Sequence, residues 1–102
     1  MTKQKCPLQQ FLNQLGGKWN LVILWHLTEE KTGFNDLKKT IGPISAKVLS
    51  EKLKELKKNK LITRKTLGGS PPHVKYELTK KGESLLPIIK ILHDWGQENL
   101  KN

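Results

Sequence analysis

The side chains here that could do chemistry are few, and their spacing excludes most of it. His26, His73 and His93 lie far apart, without the H-x-x-x-H or C-x-x-C spacing that brings two ligands to one metal ion. There is no Walker loop, G-x-S-x-G elbow or glycine-rich dinucleotide fingerprint. Gly16-Gly17 before Lys18 reads as a helix break, too short to cradle a phosphate. No catalytic residue, metal or cofactor is expected, and the chain reads as a non-enzyme. Cys6 is the single thiol and can form no internal disulfide. What recurs is positive charge. Nineteen Lys+Arg face nine Asp+Glu, a formal net charge of +10, and such an excess calls for an anionic partner. Nucleic acid ranks ahead of membrane lipid, because no stretch is long and apolar enough to span a bilayer. Residues 31–65 hold eleven basic and three acidic residues, so 11 − 3 = +8 is concentrated in about a third of the chain.

The element at the centre of that charge is residues 45–58, SAKVLSEKLKELKK. Ser45 is suited to accept from the free amides of a first helical turn. At about 100° per residue Leu49, Leu53 and Leu56 share a narrow arc widened by Val48, the seam a helix buries against its own domain. The far side carries Lys47, Ser50, Glu51, Lys54, Lys57 and Lys58. Lys47 and Ser50 lie in the first turns, where the helix dipole and free amides favour a phosphate or a base edge. Alone, this could be an ordinary solvated face; the flanks decide.

With 102 residues, 35% hydrophobic and 27% charged, the chain is one domain's worth and buries a single modest core. The N-terminus MTKQKCP has no apolar signal core, and with a lone cysteine this predicts an intracellular, cytoplasmic protein. After Pro7, the residues Leu8, Phe11, Leu12 and Leu15 recur at helical spacing. Residues 18–28, KWNLVILWHLT, are densely apolar and predict the central core helix. Thr32-Gly33 could pair briefly as a strand. Asn35 is the expected N-cap of a helix over 36–41, with Phe34 as a hydrophobic staple, and Lys38 and Lys39 lie on that helix. Gly42-Pro43-Ile44 turns into the Ser45 helix. Helix, tight turn and helix with a basic outer face is the helix-turn-helix arrangement, whose second helix enters the major groove.

Asn59 ends that helix, and residues 61–67 and 73–78 then read as two strands around Gly68-Gly69-Ser70-Pro71-Pro72, a wing. The loop carries no charge, so phosphate contacts would come from Arg64, Lys65, His73 and Lys75. A last helix runs from about 79 or 80. Pro87 within it predicts either a kink at Glu83 or a fresh start with Ser84 as N-cap. Leu85, Leu86, Ile88, Ile89, Ile91, Leu92 and Trp95 spread over roughly 220°, about twice the stripe that packing within one domain uses. Some of that surface must meet another chain or lie exposed. Trp19 and Trp25 are expected in the core and Trp95 at an interface.

The stretches CPLQQFLNQLGGKWNLVILWHL, GFNDLKKTIGPISAKVLSEKLKELKKNKLI and PPHVKYELTKKGESLLPIIKILHDWG together resemble the HxlR-type winged-helix transcription regulators, relatives of the MarR group. The resemblance implies an α+β, mainly helical fold: a single winged helix-turn-helix domain over 1–102, with the helix-turn-helix at about 34–58. A two- or three-stranded wing sheet would span 61–78, and dimerisation helices about 7–15 and 80–100. It implies a homodimer that binds palindromic double-stranded DNA; repression is the expected mode of action, which the resemblance by itself does not settle against activation. The DNA contacts expected are Ser45, Lys47, Ser50 and Lys54, with Lys38, Lys39, Arg64, Lys65, His73 and Lys75 around them. The dimer interface would use Leu8, Phe11, Leu12, Leu85, Ile88, Ile91, Leu92 and Trp95. In several members a cysteine at the position of Cys6 senses oxidants or electrophiles. Lys3 and Lys5 upstream, and a helix opening at Pro7, are a setting that activates a thiol; the ordinary alternative is a small buried hydrophobe packing the N-terminal arm. The competing class is a winged helix used as a protein-binding module, with the basic face on an acidic partner.

Overall fold

The computed structural model describes residues 6–15, 17–28, 32–70 and 72–100. They form α1 (Pro7–Leu15), α2 (Lys18–His26), α3 (Phe34–Ile41), α4 (Ala46–Lys58), β1 (Ile62–Leu67), β2 (His73–Leu78), α5 (Lys80–Glu83) and α6 (Leu86–Asn99). This is the mainly helical α+β arrangement of a winged helix-turn-helix. Lys3, Lys5, Gly16 and Pro71 lie outside the described residues.

α2 is the hub. Its apolar residues leave no polar face, the pattern of a helix surrounded by protein. Ile23 and Leu24 are fully buried, and the helix packs on α3, α4 and α6. Leu37 from α3, Leu49, Leu53 and Leu56 from α4, Ile62 from β1 and Ile89 from α6 complete the core. The leucine seam expected of α4 is therefore its buried side. Asn20, a fully buried polar residue of α2, donates through Nδ2 to Glu55 Oε1 of α4 at 3.4 Å. α6 is also held to α2 by the stacked rings of Trp25 and His93, 4.5 Å apart. On α6, Lys90 and then His93 bond Asp94 and hold its carboxyl below the usual carboxylate range.

The turn before α4 depends on Gly42, whose φ of 91° is in the region that disfavours a Cβ; its N–H closes α3 on the Lys38 carbonyl. Ser45 Oγ then accepts from Val48 N at 3.1 Å, the expected cap. α4 stops in a Schellman motif. Lys60 N donates to Lys57 O and Leu61 N to Leu56 O, both at 3.0 Å, around Lys60 at φ 63°. The chain leaves this turn directly into β1. β1 and β2 pair antiparallel from Ile62↔Leu78 to Leu67↔His73, and Thr32 bridges Tyr76 on the other edge of β2.

Two helix starts differ from the sequence reading. α3 begins at Phe34 with Gly33 as N-cap, so Asn35 lies inside the helix and Phe34 is not a staple before it. The reason is the Thr32 bridge: it brings the chain beside β2 in extended form, and Gly33 O then accepts the first helical bond from Leu37 N. In the last segment Thr79 caps α5 through Gly82 N, the helix breaks, and α6 restarts with Leu85 as N-cap and Pro87 in its first turn. Ser84 is not the cap, because its hydroxyl donates back to the Lys81 carbonyl.

Candidate nucleic-acid interface

On α4 the residues Lys47, Ser50, Lys54 and Lys57 follow one another at helical i, i+3, i+4 spacing, within an arc of about 80°. This stripe borders the buried leucine seam. Lys47, Lys54 and Lys57 are exposed and Ser50 is half-buried. α3 sets Lys38 and Lys39 with Asn35, Asp36 and Gly42 around a shallow depression at the turn.

The alternation of β1 and β2 divides the wing cations between two faces. Arg64 and Tyr76 pair across the strands and line, with Ser50, Leu53, Lys54 and Lys57, a cleft between the sheet and α4. Lys65, Lys75 and His73 alternate to the opposite face. There Lys65 stands directly across from Lys75, a like-charge pair that would repel, and Lys65 is ion-paired with Glu77. The four wing residues singled out from sequence are therefore not one set. Only Arg64 joins the α4 stripe. Lys57 and Tyr76, absent from the expected set, stand in the same cleft. The signal for Lys57 was its position seven residues after Ser50 and three after Lys54; for Tyr76 it was alternation with Arg64's partner strand.

Of the eight interface residues expected, Leu8, Leu12, Ile88, Ile91, Leu92 and Trp95 are exposed large hydrophobics. Phe11 and Leu85 pack partly on the core. Trp95 is 59% exposed and Ile91 68%, so the outer side of α6 is not covered by its own domain. Cys6 is exposed, which removes the reading of it as a buried packing residue. It immediately precedes Pro7, the first residue of α1, and its carbonyl accepts from Gln10 N at 3.0 Å. Among the described residues no group of three or more His, Cys, Asp or Glu could hold a metal ion. No helix among them is long and apolar enough to cross a membrane.

The profile of the HxlR-like helix-turn-helix family matches residues 14–102. A protein of Fusobacterium mortiferum named as the regulatory protein MalR is 44% identical over 98 residues, covering 95% of this chain and 92% of that one. The redox regulator HypR in its reduced form superposes with a TM-score of 0.87 at 30% identity, covering 94% of this chain and 95% of that one. The reduced form of the transcriptional regulator YodB from Bacillus subtilis gives 0.78 at 33% identity, with 94% and 95% covered. With the family profile matched over residues 14–102, the chain belongs to the HxlR-like helix-turn-helix family of DNA-binding transcription regulators.

Proposed function

We propose that this regulator is a homodimer that represses transcription by occupying a palindromic operator, with α4 as the reading helix and Cys6 as a thiol switch. The observation that carries the reading is α4 itself: a capped helix whose outward stripe of Lys47, Ser50 and Lys54 makes no ion pair among the described residues and has a hairpin beside it. Lys47 and Ser50 read base edges near the helix start. Lys38, Lys39, Lys54 and Arg64 hold phosphates, and Ser45 fixes the geometry of the first turn. Lys65, His73 and Lys75 meet the backbone from the outer face of the wing. The uncovered apolar sides of α1 and α6 support the dimer, and a two-fold dimer calls for a two-fold operator. Occupancy of such a site excludes other proteins from it, which makes repression the direct mode of action.

Support for Cys6 is its exposure and its place at the start of α1, together with the naming of HypR as a redox regulator and the existence of a diamide-treated YodB structure. Oxidation joins Cys6 to a small thiol or to Cys6 of another subunit, each thiol giving up one proton and one electron to the oxidant. Selection of bound sites from a random duplex pool tests the central claim. An inverted repeat should be recovered, with half-sites about one turn, ~34 Å, apart. A pool that converges on no sequence would overturn specific reading and favour a protein-docking role for the basic face. A promoter fusion carrying the recovered site should be silenced by the protein; activation would overturn the repressor assignment.

A further inference from the structure

We propose that the cleft between α4 and the inner face of the β1–β2 sheet is a seat for one phosphodiester group of bound DNA, held by Lys54, Lys57 and Arg64, with the hydroxyl of Tyr76 as a further donor. The proposal rests on the DNA-binding reading and adds Lys57 and Tyr76 to it. Three cations line this cleft together with Ser50, Leu53 and Tyr76, and no acidic residue does. On the described surface Lys52 is matched with Glu55, Lys65 with Glu77 and Lys90 with Asp94. Lys54, Lys57 and Arg64 have no such partner among the described residues. Like charges gathered in a concave site focus a positive field and wait for an anion. Leu53, buried in the core, gives the cleft a fixed floor, and Arg64 is positioned by its ladder pairing with Tyr76.

Size and position select the source of the phosphate. The cleft measures about 350 Å³, against about 30 Å³ for one water in the liquid. It is too roomy for a closed cage around a single ion and suits a backbone passing through. With α4 in the major groove, the strand that borders that groove has to pass between the helix and the adjoining hairpin. The cleft lies there, its Lys54 and Lys57 about two to three turns beyond Lys47 on the same stripe. A phosphate held in it fixes how deeply α4 enters and which way Lys47 and Ser50 face the base edges.

The test uses the full-length protein and two duplexes, the selected operator and one of random sequence, each also made with a single uncharged methylphosphonate stepped along the strand. The native protein should lose about tenfold in affinity at one methylphosphonate position per half-site. Lys57→Gln and Arg64→Gln should each bind unmodified DNA about tenfold more weakly and become indifferent, within twofold, to that one substitution while keeping their sensitivity to the others. Tyr76→Phe, which retains the ring, should show a smaller loss with the same positional signature. On the random duplex the Lys57→Gln/Arg64→Gln protein should flatten the slope of log K against log salt by about 2, one phosphate per subunit at roughly 0.9 each. That arm reports even if no operator is recovered, so failure of specific reading and failure of the seat are told apart. An unchanged methylphosphonate map with unchanged slope overturns the proposal. So does a thermal shift by 10 mM inorganic phosphate that both variants abolish while their DNA maps stay native, since the cleft would then serve a small free anion.

Discussion

A Cβ added at Gly82 would lie 2.1 Å from the Leu61 carbonyl oxygen and 3.3 Å from Leu78 Cδ2. Leu61 O is fixed there because it also accepts from Thr79 N at 3.0 Å. Backbone cannot move aside cheaply, so Gly82→Ala should destabilise by about 3 kcal/mol, read as a lower urea midpoint. Lys60, twenty-two residues earlier in the chain and across the same junction, predicts the opposite sign. It holds the left-handed turn of the Schellman motif at φ 63°, where a Cβ is penalised and glycine is not. Its carbonyl accepts from Thr79 Oγ1 at 2.7 Å, a bond that glycine would keep. Lys60→Gly should therefore gain about 0.5–1 kcal/mol, and an unchanged or lower midpoint would show that the turn carries no strain. Cys6 belongs to this scale as well. Diamide should alter operator affinity of the native protein but not of Cys6→Ser, with a disulfide-linked dimer or a mass adduct appearing in step. Unchanged binding after mass spectrometry shows full modification would remove the sensor role. The family match begins at Gln14, so this residue stands outside it and needs its own test.

Between elements, the proposed function separates reading from anchoring on the DNA side. Lys47→Ala and Ser50→Ala should lower discrimination between operator and random duplex, by about 1–3 kcal/mol where the side chain touches a base. Lys75→Ala should weaken both duplexes alike and flatten the salt dependence by about 2 per dimer, one phosphate in each subunit. Equal losses on both duplexes for Lys47 and Ser50 would make α4 an anchor and move reading elsewhere. Helix and strand identity was legible in the sequence wherever periodicity was unopposed: the 49/53/56 seam, the alternation over 73–78, the Gly42 turn and the Ser45 cap. Boundaries escaped where a partner distant in sequence sets them. The Thr32 bridge to Tyr76 starts α3 early, and Ser84 spends its hydroxyl on the preceding turn. The two faces of the wing escaped for a similar reason. Alternation within a strand shows that Arg64 and Lys65 diverge, but only the packing of the sheet against α4 shows which of them turns toward that helix.

For the molecule as a whole, the shape itself asks for a second copy. A compact chain of 102 residues should have a radius of gyration near ~13 Å, whereas this one has 15.2 Å and a longest extent of 55 Å. The excess goes with apolar side chains toward both ends of the sequence that are exposed among the described residues: Leu8 and Leu12 on α1, and Ile88, Ile91, Leu92 and Trp95 on α6. Exposed apolar surface of this kind marks an interaction surface or an aggregation liability, and a two-fold partner presenting the same surface buries it without new chemistry. Sedimentation at micromolar concentration should therefore show a dimer. Ile91→Glu places an unpaired charge in the buried centre of that contact, where desolvation makes it costly, and should give monomers with an intact core, since Ile91 is exposed in the single chain. Such a monomer loses the gain from holding two half-sites at once, a factor of about 10² or more, and should bind the full operator no better than a half-site. A native protein that sediments as a well-behaved monomer would sink the dimer and leave the outer face of α6 to some other partner.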